Sequence, residues 1–143
     1  MTKERAAIQQ IVNEFLQAYE LQQVDRVMSF YSQNTALLVL GTNENEAFQS
    51  TQELREAYKR DFSDMANFKW GAFHQFSLEV SEGLASVLME MPMSFQAEGK
   101  KQQSLFRLSL TLRNEGNKWM ICEALGSVPY PAGTVSFSCR LPH

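Results

Sequence analysis

Few side chains in this 143-residue chain are of types suited to chemistry, and their spacing narrows what they can do. Arg107 lies in the alternating run Phe106-Arg107-Leu108-Ser109-Leu110-Thr111-Leu112. Its guanidinium is a planar, permanently charged fork that suits a carboxylate or a phosphate. That partner is either a ligand or an internal acid across the sheet, Glu90 or Glu123. Ser109 and Thr111 share its face and offer hydroxyls, to a ligand or to water. Glu46 and Glu90 are candidate pocket carboxylates. Two carboxyl groups held close together split their pKa values and can divide acid and base roles. His74 falls on the apolar side of its segment, as a proton shuttle or as a core or interface histidine with one hydrogen bond. Phe15, Tyr19, Tyr31, Tyr58 and Trp70 supply flat apolar area, most of it with a polar tip. Such residues line pockets for flat ligands or simply fill a core.

Other chemistries lack their residues. Two cysteines (Cys122, Cys139) and two histidines (His74, His143) are too scattered for a metal cluster. There is no glycine-rich phosphate loop and no nucleophile–histidine–carboxylate order. No cofactor is expected. Thirteen basic residues against 16 acidic ones give a net charge of −3, which is no electrostatic footprint for nucleic acid. No apolar run approaches the ~18 residues of a membrane span, and the start, Met1-Thr2-Lys3-Glu4-Arg5, is not a signal core. The cysteines are expected as reduced thiols of a cytoplasmic protein.

The elements that must position these residues follow from periodicity. Ile8, Ile11, Val12, Phe15 and Tyr19 recur at helical spacing, so a first helix runs from about Thr2 to Leu21. Val24, Val27, Met28 and Tyr31 predict a short second helix, and Ala36–Leu40 a buried strand ended by Gly41. Ser50-Thr51-Gln52-Glu53 has the form of a capping box, followed by Leu54, Ala57, Tyr58 and Phe62 on a third helix. After residue 66 the period becomes two. One long strand is predicted over Phe68–Val80, then strands around Ala85–Met91, Phe106–Leu112 and Trp119–Leu125. Helices first and antiparallel strands after predict an α+β fold with the helices on one face of a curved sheet. Met89, Met91 and Met93, with Phe106, Leu108, Leu110 and Leu112, make two apolar stripes. They are core or a sheet face covered by a second copy, and a homodimer is expected. The chain is one domain over residues 1–143, with 130–143 an extension carrying a short strand or arm at Val135–Cys139.

Three motifs then carry a resemblance across Ala7–Pro129. Gly41-Thr42, Glu46 and Ser50 resemble a segment ahead of the third helix in SnoaL-like domains of the nuclear transport factor 2-like superfamily. Arg107-Leu108-Ser109 resembles the Arg-x-Thr strand of that family. Trp119-Met120-Ile121 with Ser127-Val128-Pro129 resembles its last strand and exit. The resemblance implies a cone, with three N-terminal helices packed in a strongly bent, mainly antiparallel sheet and a pocket at the open end. It also implies pairing through the outer sheet face. Relatives that isomerise ketosteroids use a helix-1 tyrosine, a carboxylate base and a protonated aspartate. Phe15, Val39 or Leu38, and Ser109 are similar in place, and none of these supplies the base or the acid. Glu123 and Leu125 stand where SnoaL-like relatives often carry histidines. By this likeness Ser109 is interior, and Arg107, two residues away, shares its face.

The resulting expectation is a small-molecule-binding cone without an assigned reaction. Its ligand sites are Arg107, Ser109, Phe15, Tyr19, Tyr31, Tyr58, Trp70 and Glu90, and its ligand a small amphipathic acid held by Arg107. The alternatives are an isomerase, cyclase or dehydratase with unusual pocket residues, and an assembly module like the association domain of the calcium/calmodulin-dependent kinase.

Overall fold

The computed structural model describes residues 2–133. Thr2 heads the first helix, its hydroxyl accepting from the Arg5 N–H at 3.2 Å. That contact satisfies one of the amides a helix start leaves free. Helix α1 (Lys3–Glu20) buries Ile8, Val12, Phe15, Leu16 and Ala18 along one face. Helix α2 (Val24–Met28) is shorter than its apolar pattern implies. Tyr31 lies beyond its end, in a bridge to Ile121. Strands β1 (Leu38–Leu40) and β2 (Ala47–Phe48) pair antiparallel. Ser50 starts α3 (Thr51–Asp64), its hydroxyl accepting from the Glu53 N–H at 3.1 Å and donating to the Glu53 carboxylate at 3.1 Å.

Five strands follow: β3 (Ala66–Trp70), β4 (Gln75–Ser81), β5 (Leu84–Ala97), β6 (Lys100–Glu115) and β7 (Lys118–Ser127). The sheet order is β2-β1-β7-β6-β5-β3, with β4 also on β5. Among the described strands only β1 and β7 run parallel, so the sheet is mixed and mainly antiparallel. The β6–β7 hairpin turns at Gly116 and Asn117, with φ of 59° and 70°. Both are in the left-handed region, which matches the twist of a tight hairpin. This is the α+β fold the sequence predicts.

Besides the shorter α2, two strands differ: the predicted buried strand Ala36–Leu40 is the shorter β1, with Leu38 and Leu40 exposed. The predicted strand Phe68–Val80 is two strands, parted at Gly71–His74. Both pair with the same edge of β5, and Pro92 is the reason for the gap. Proline has no N–H for the ladder. Its carbonyl instead accepts from the Gly71 N–H at 2.8 Å. A Cβ on Gly71 would sit 2.9 Å from the proline ring, so only glycine passes here. His74 therefore lies in the gap, half exposed and off the apolar face, with Nδ1 3.7 Å from Glu90.

The core sits between α1 and the inner sheet face. Met89 and Met91 of β5, and Leu108, Leu110 and Leu112 of β6, point toward the helices and are buried. The two apolar stripes are thus covered from within and give no support for a partner. Among the described residues, no helix is long and apolar enough to cross a membrane. Cys122 is buried, and among the described residues it has no disulfide partner. The Val135–Cys139 arm lies outside the described residues.

Candidate functional site

A cavity of about 270 Å³ opens between α1, α3 and the inner sheet face. Its walls are mostly aromatic. Phe15 and Tyr19 come from α1, Tyr58 from α3, Phe68 and Trp70 from β3, Phe95 from β5 and Phe106 from β6. Tyr19 is the hub. Its ring centroid lies 5.0 Å from Phe68, 5.6 Å from Trp70 and 6.0 Å from Tyr58. Phe68 and Tyr58 meet it edge-on and Trp70 is tilted to it, and edge-on rings at such distances hold one another beyond simple burial. Trp70 is pinned twice to α1: its indole N–H donates to the Leu16 carbonyl at 3.0 Å, and its backbone N–H to the Glu20 carboxylate at 2.8 Å.

The polar lining is acidic and phenolic. The Tyr31 and Tyr58 hydroxyls form one hydrogen bond of 2.6 Å. Tyr31 is 1% exposed. One hydroxyl donates to the other, which leaves the pair one further O–H to donate. Burial raises the pKa of both phenols, and of Tyr19, so all three remain neutral donors. Asp61 lines the same cavity, its carboxyl pushed from 3.8 up to about 6 by burial and then by Glu46 nearby. Asp64 adds to the shift and Arg60 opposes it. Glu46 sits in a tight turn: the Gly41 N–H donates to its carbonyl at 2.8 Å, and its Oε1 accepts from the Asn43 N–H at 2.8 Å. A Cβ on Gly41 would lie 2.8 Å from the Glu46 side chain. The Gly41…Glu46 motif is thus a device for holding a carboxylate at the cavity. Among the described residues, no lysine, arginine or histidine lines it.

Of the expected site residues, Phe15, Tyr19, Tyr31, Tyr58 and Trp70 come together around this cavity. Arg107, Ser109 and Glu90 do not. They lie on the outer face, where Glu90 and Arg107 are cross-strand partners and the Arg107 Nε donates to Glu90 at 2.7 Å. The Arg107 side chain is 55% exposed. The reason is strict alternation: Phe106, Leu108 and Leu110 turn inward, so Arg107 and Ser109 must turn out. The inward residue at this level is Leu108, not Ser109. Glu123 and Leu125 also face out, and Ala124 and Gly126 line the cavity. The anion site expected at Arg107 is therefore absent from the cavity. Asp61 was not predicted. Its signal was present, because it stands three residues after Tyr58 and seven after Leu54 on the same helix face.

Comparisons with known proteins agree with this architecture. A ketosteroid isomerase-like protein from Erwinia carotovora atroseptica superposes with a TM-score of 0.78 at 17% identity, over 92% of this chain and 100% of that one. An NTF2-like protein of unknown function from Pseudomonas putida gives 0.74 at 12% identity, over 93% of each chain. A protein of unknown function with a cystatin-like fold from Nostoc punctiforme gives 0.72 at 11% identity, over 90% of this chain and 93% of that one. At such identities the likeness is one of fold. No curated protein matches the sequence. Residues 8–131 match the SnoaL-like domain family, and with the helices seated on a mixed sheet around an aromatic cavity, the chain belongs to that family.

Proposed function

We propose that this SnoaL-like domain binds a small amphipathic molecule in the cone cavity. The carrying observation is the cavity itself. It has continuous aromatic walls, with Asp61, Glu46 and the Tyr31–Tyr58 pair as its polar groups. Such a site, apolar with a few convergent polar groups, is the usual form of a ligand pocket. The small-acid ligand loses its support, because its anchor Arg107 lies outside.

The test is saturable binding of the neutral dye N-phenyl-1-naphthylamine. One dye per protomer is expected, with energy transfer from Trp70. Trp70→Phe should lower the transfer and keep the stoichiometry, with Trp119, which is outside the cavity lining, as the remaining donor. Partitioning without saturation would end the reading.

A second reading has its own observation. Burial raises the Asp61 carboxyl to about 6, on the same wall as a phenol pair with one further O–H to donate. A base and a hydrogen-bond donor facing one cavity suit proton transfer beside a carbonyl, as an isomerase or dehydratase requires. Solvent deuterium exchange into small cyclic ketones, followed by NMR and compared with Asp61→Asn, tests it.

We also propose a homodimer through the outer sheet face. Its support is a row in register across the strands, Leu40–Leu125–Ser109–Leu88, whose leucines are exposed. Exposed leucines clustered on one sheet face suit a second copy better than water.

A further inference from the structure

The cavity has the charge of a cation site. We propose that its ligand is a compact arylalkylamine, bound as the ammonium ion, with its ring among Tyr19, Phe68 and Trp70 and its charge toward Asp61 and Glu46. This rests on the pocket reading above and names its ligand class.

Two carboxylates share a largely apolar cavity with no cation in its lining among the described residues. Charged groups in such surroundings are costly unless paired. The pairing each has is incomplete. Glu46 accepts one backbone N–H from Asn43, and Arg60 acts on Asp61 from outside the lining. Aromatic faces are themselves negative and attract cations within about 6 Å of the ring centre. Tyr19, Phe68 and Trp70 make a cluster with centroids 4.7 to 5.6 Å apart. A separate feature points to a ligand. The Tyr31–Tyr58 pair has one further O–H to donate, and Tyr31 is almost wholly buried. It calls for an oxygen acceptor on the bound molecule. Size agrees as well: a dry cavity of about 150 Å³ holds benzene, so 270 Å³ takes two fused rings with a short side chain.

The titratable groups that line the cavity are Asp61 of α3, Glu46 of the β1–β2 loop and the phenols of Tyr19, Tyr31 and Tyr58, and Asp64 and Arg60 act on Asp61 from outside the lining. Among these Asp61 titrates near pH 6. Protonation there competes with the cation, so affinity should fall as pH drops from 7.5 to 5. The amine stays charged throughout.

The experiment is calorimetric titration of the intact protein with three compounds of one shape: 5-methoxytryptamine, 5-methoxytryptophol and 5-methoxyindole-3-acetate. The amine should bind at least about tenfold more tightly than the alcohol, and the acid most weakly. Asp61→Asn should remove most of the amine's advantage over the alcohol. Glu46→Gln, which keeps an acceptor for the Asn43 N–H, should reduce it as well. The acid binding as tightly as the amine overturns the inference, as does an amine-to-alcohol ratio unchanged in both variants. If the alcohol or the naphthylamine dye binds without preference for the amine, the inference fails and the pocket reading stands. If none of the three nor the dye binds, both fail.

Discussion

The hydroxyl oxygens of Tyr31 and Tyr58 lie 2.6 Å apart in the cavity wall, joining the segment after α2 to the middle of α3. Removing one hydroxyl leaves the other buried without its partner, at a cost of about 1–3 kcal/mol. Removing both leaves two rings in contact and nothing unsatisfied. The double variant Tyr31→Phe/Tyr58→Phe should therefore be less destabilised than the sum of the two single changes. Urea unfolding of the four proteins in a double-mutant cycle measures this. Strict additivity would show that the bond contributes nothing.

Asp61 makes stability depend on pH. Its carboxyl titrates at about 6 in the folded protein against an ordinary 3.8, so the fold retains a proton that the unfolded chain releases. Stability contributed this way is present below pH 3.8 and is lost as pH rises through 6. Asp61→Asn abolishes that loss. The variant's Tm should exceed the parent's at pH 7.5, and the gap should close toward pH 4. An equal gap at both pH values would mean that burial does not raise this carboxyl.

Ser50→Ala removes the oxygen that caps α3 through the Glu53 N–H. A lost cap costs about 1 kcal/mol, or roughly 4 °C in Tm for a domain of this size. Because α3 carries Tyr58 and Asp61, dye affinity should weaken by less than stability does, since the cap lies a full turn and more away from them. Differential scanning calorimetry and dye titration give the two numbers. A binding loss with Tm unchanged would contradict this reading of Ser50.

The outer face tests the dimer. Leu88 is 60% exposed and Leu125 47% exposed. A stable interface buries roughly 1,200–2,000 Å² in total, enough to cover this leucine row together with the Arg107–Glu90 pair beside it. Light scattering at tens of micromolar should report a dimer, and Leu88→Glu or Leu125→Glu a monomer with unchanged dye binding. A parent protein that is already monomeric removes the proposal.

Local pattern in the sequence determined the helices, their caps and the hairpins. Thr2, the Ser50-x-x-Glu53 box and the Gly116-Asn117 turn each act through bonds within a few residues, so no distant contact is needed to read them. The aromatic half of the site was equally legible, because Phe15, Tyr19 and Tyr58 sit on the apolar faces of amphipathic helices. Alternation also fixed that Arg107 and Leu108 face opposite ways. Which of them faces the helices was in the sequence too, in the run of Phe106, Leu108, Leu110 and Leu112, and only a likeness to relatives pointed otherwise. Tertiary structure alone decided the rest. Pro92 breaks the predicted strand at Gly71 from 21 residues away, through contact across the sheet. Glu46 and Asp61, 15 residues apart on different elements, come close enough for Glu46 to raise the cost of ionising Asp61 only when the chain closes around the cavity. Charge in a cavity depends on distance and exclusion of water, and neither is a property of sequence spacing.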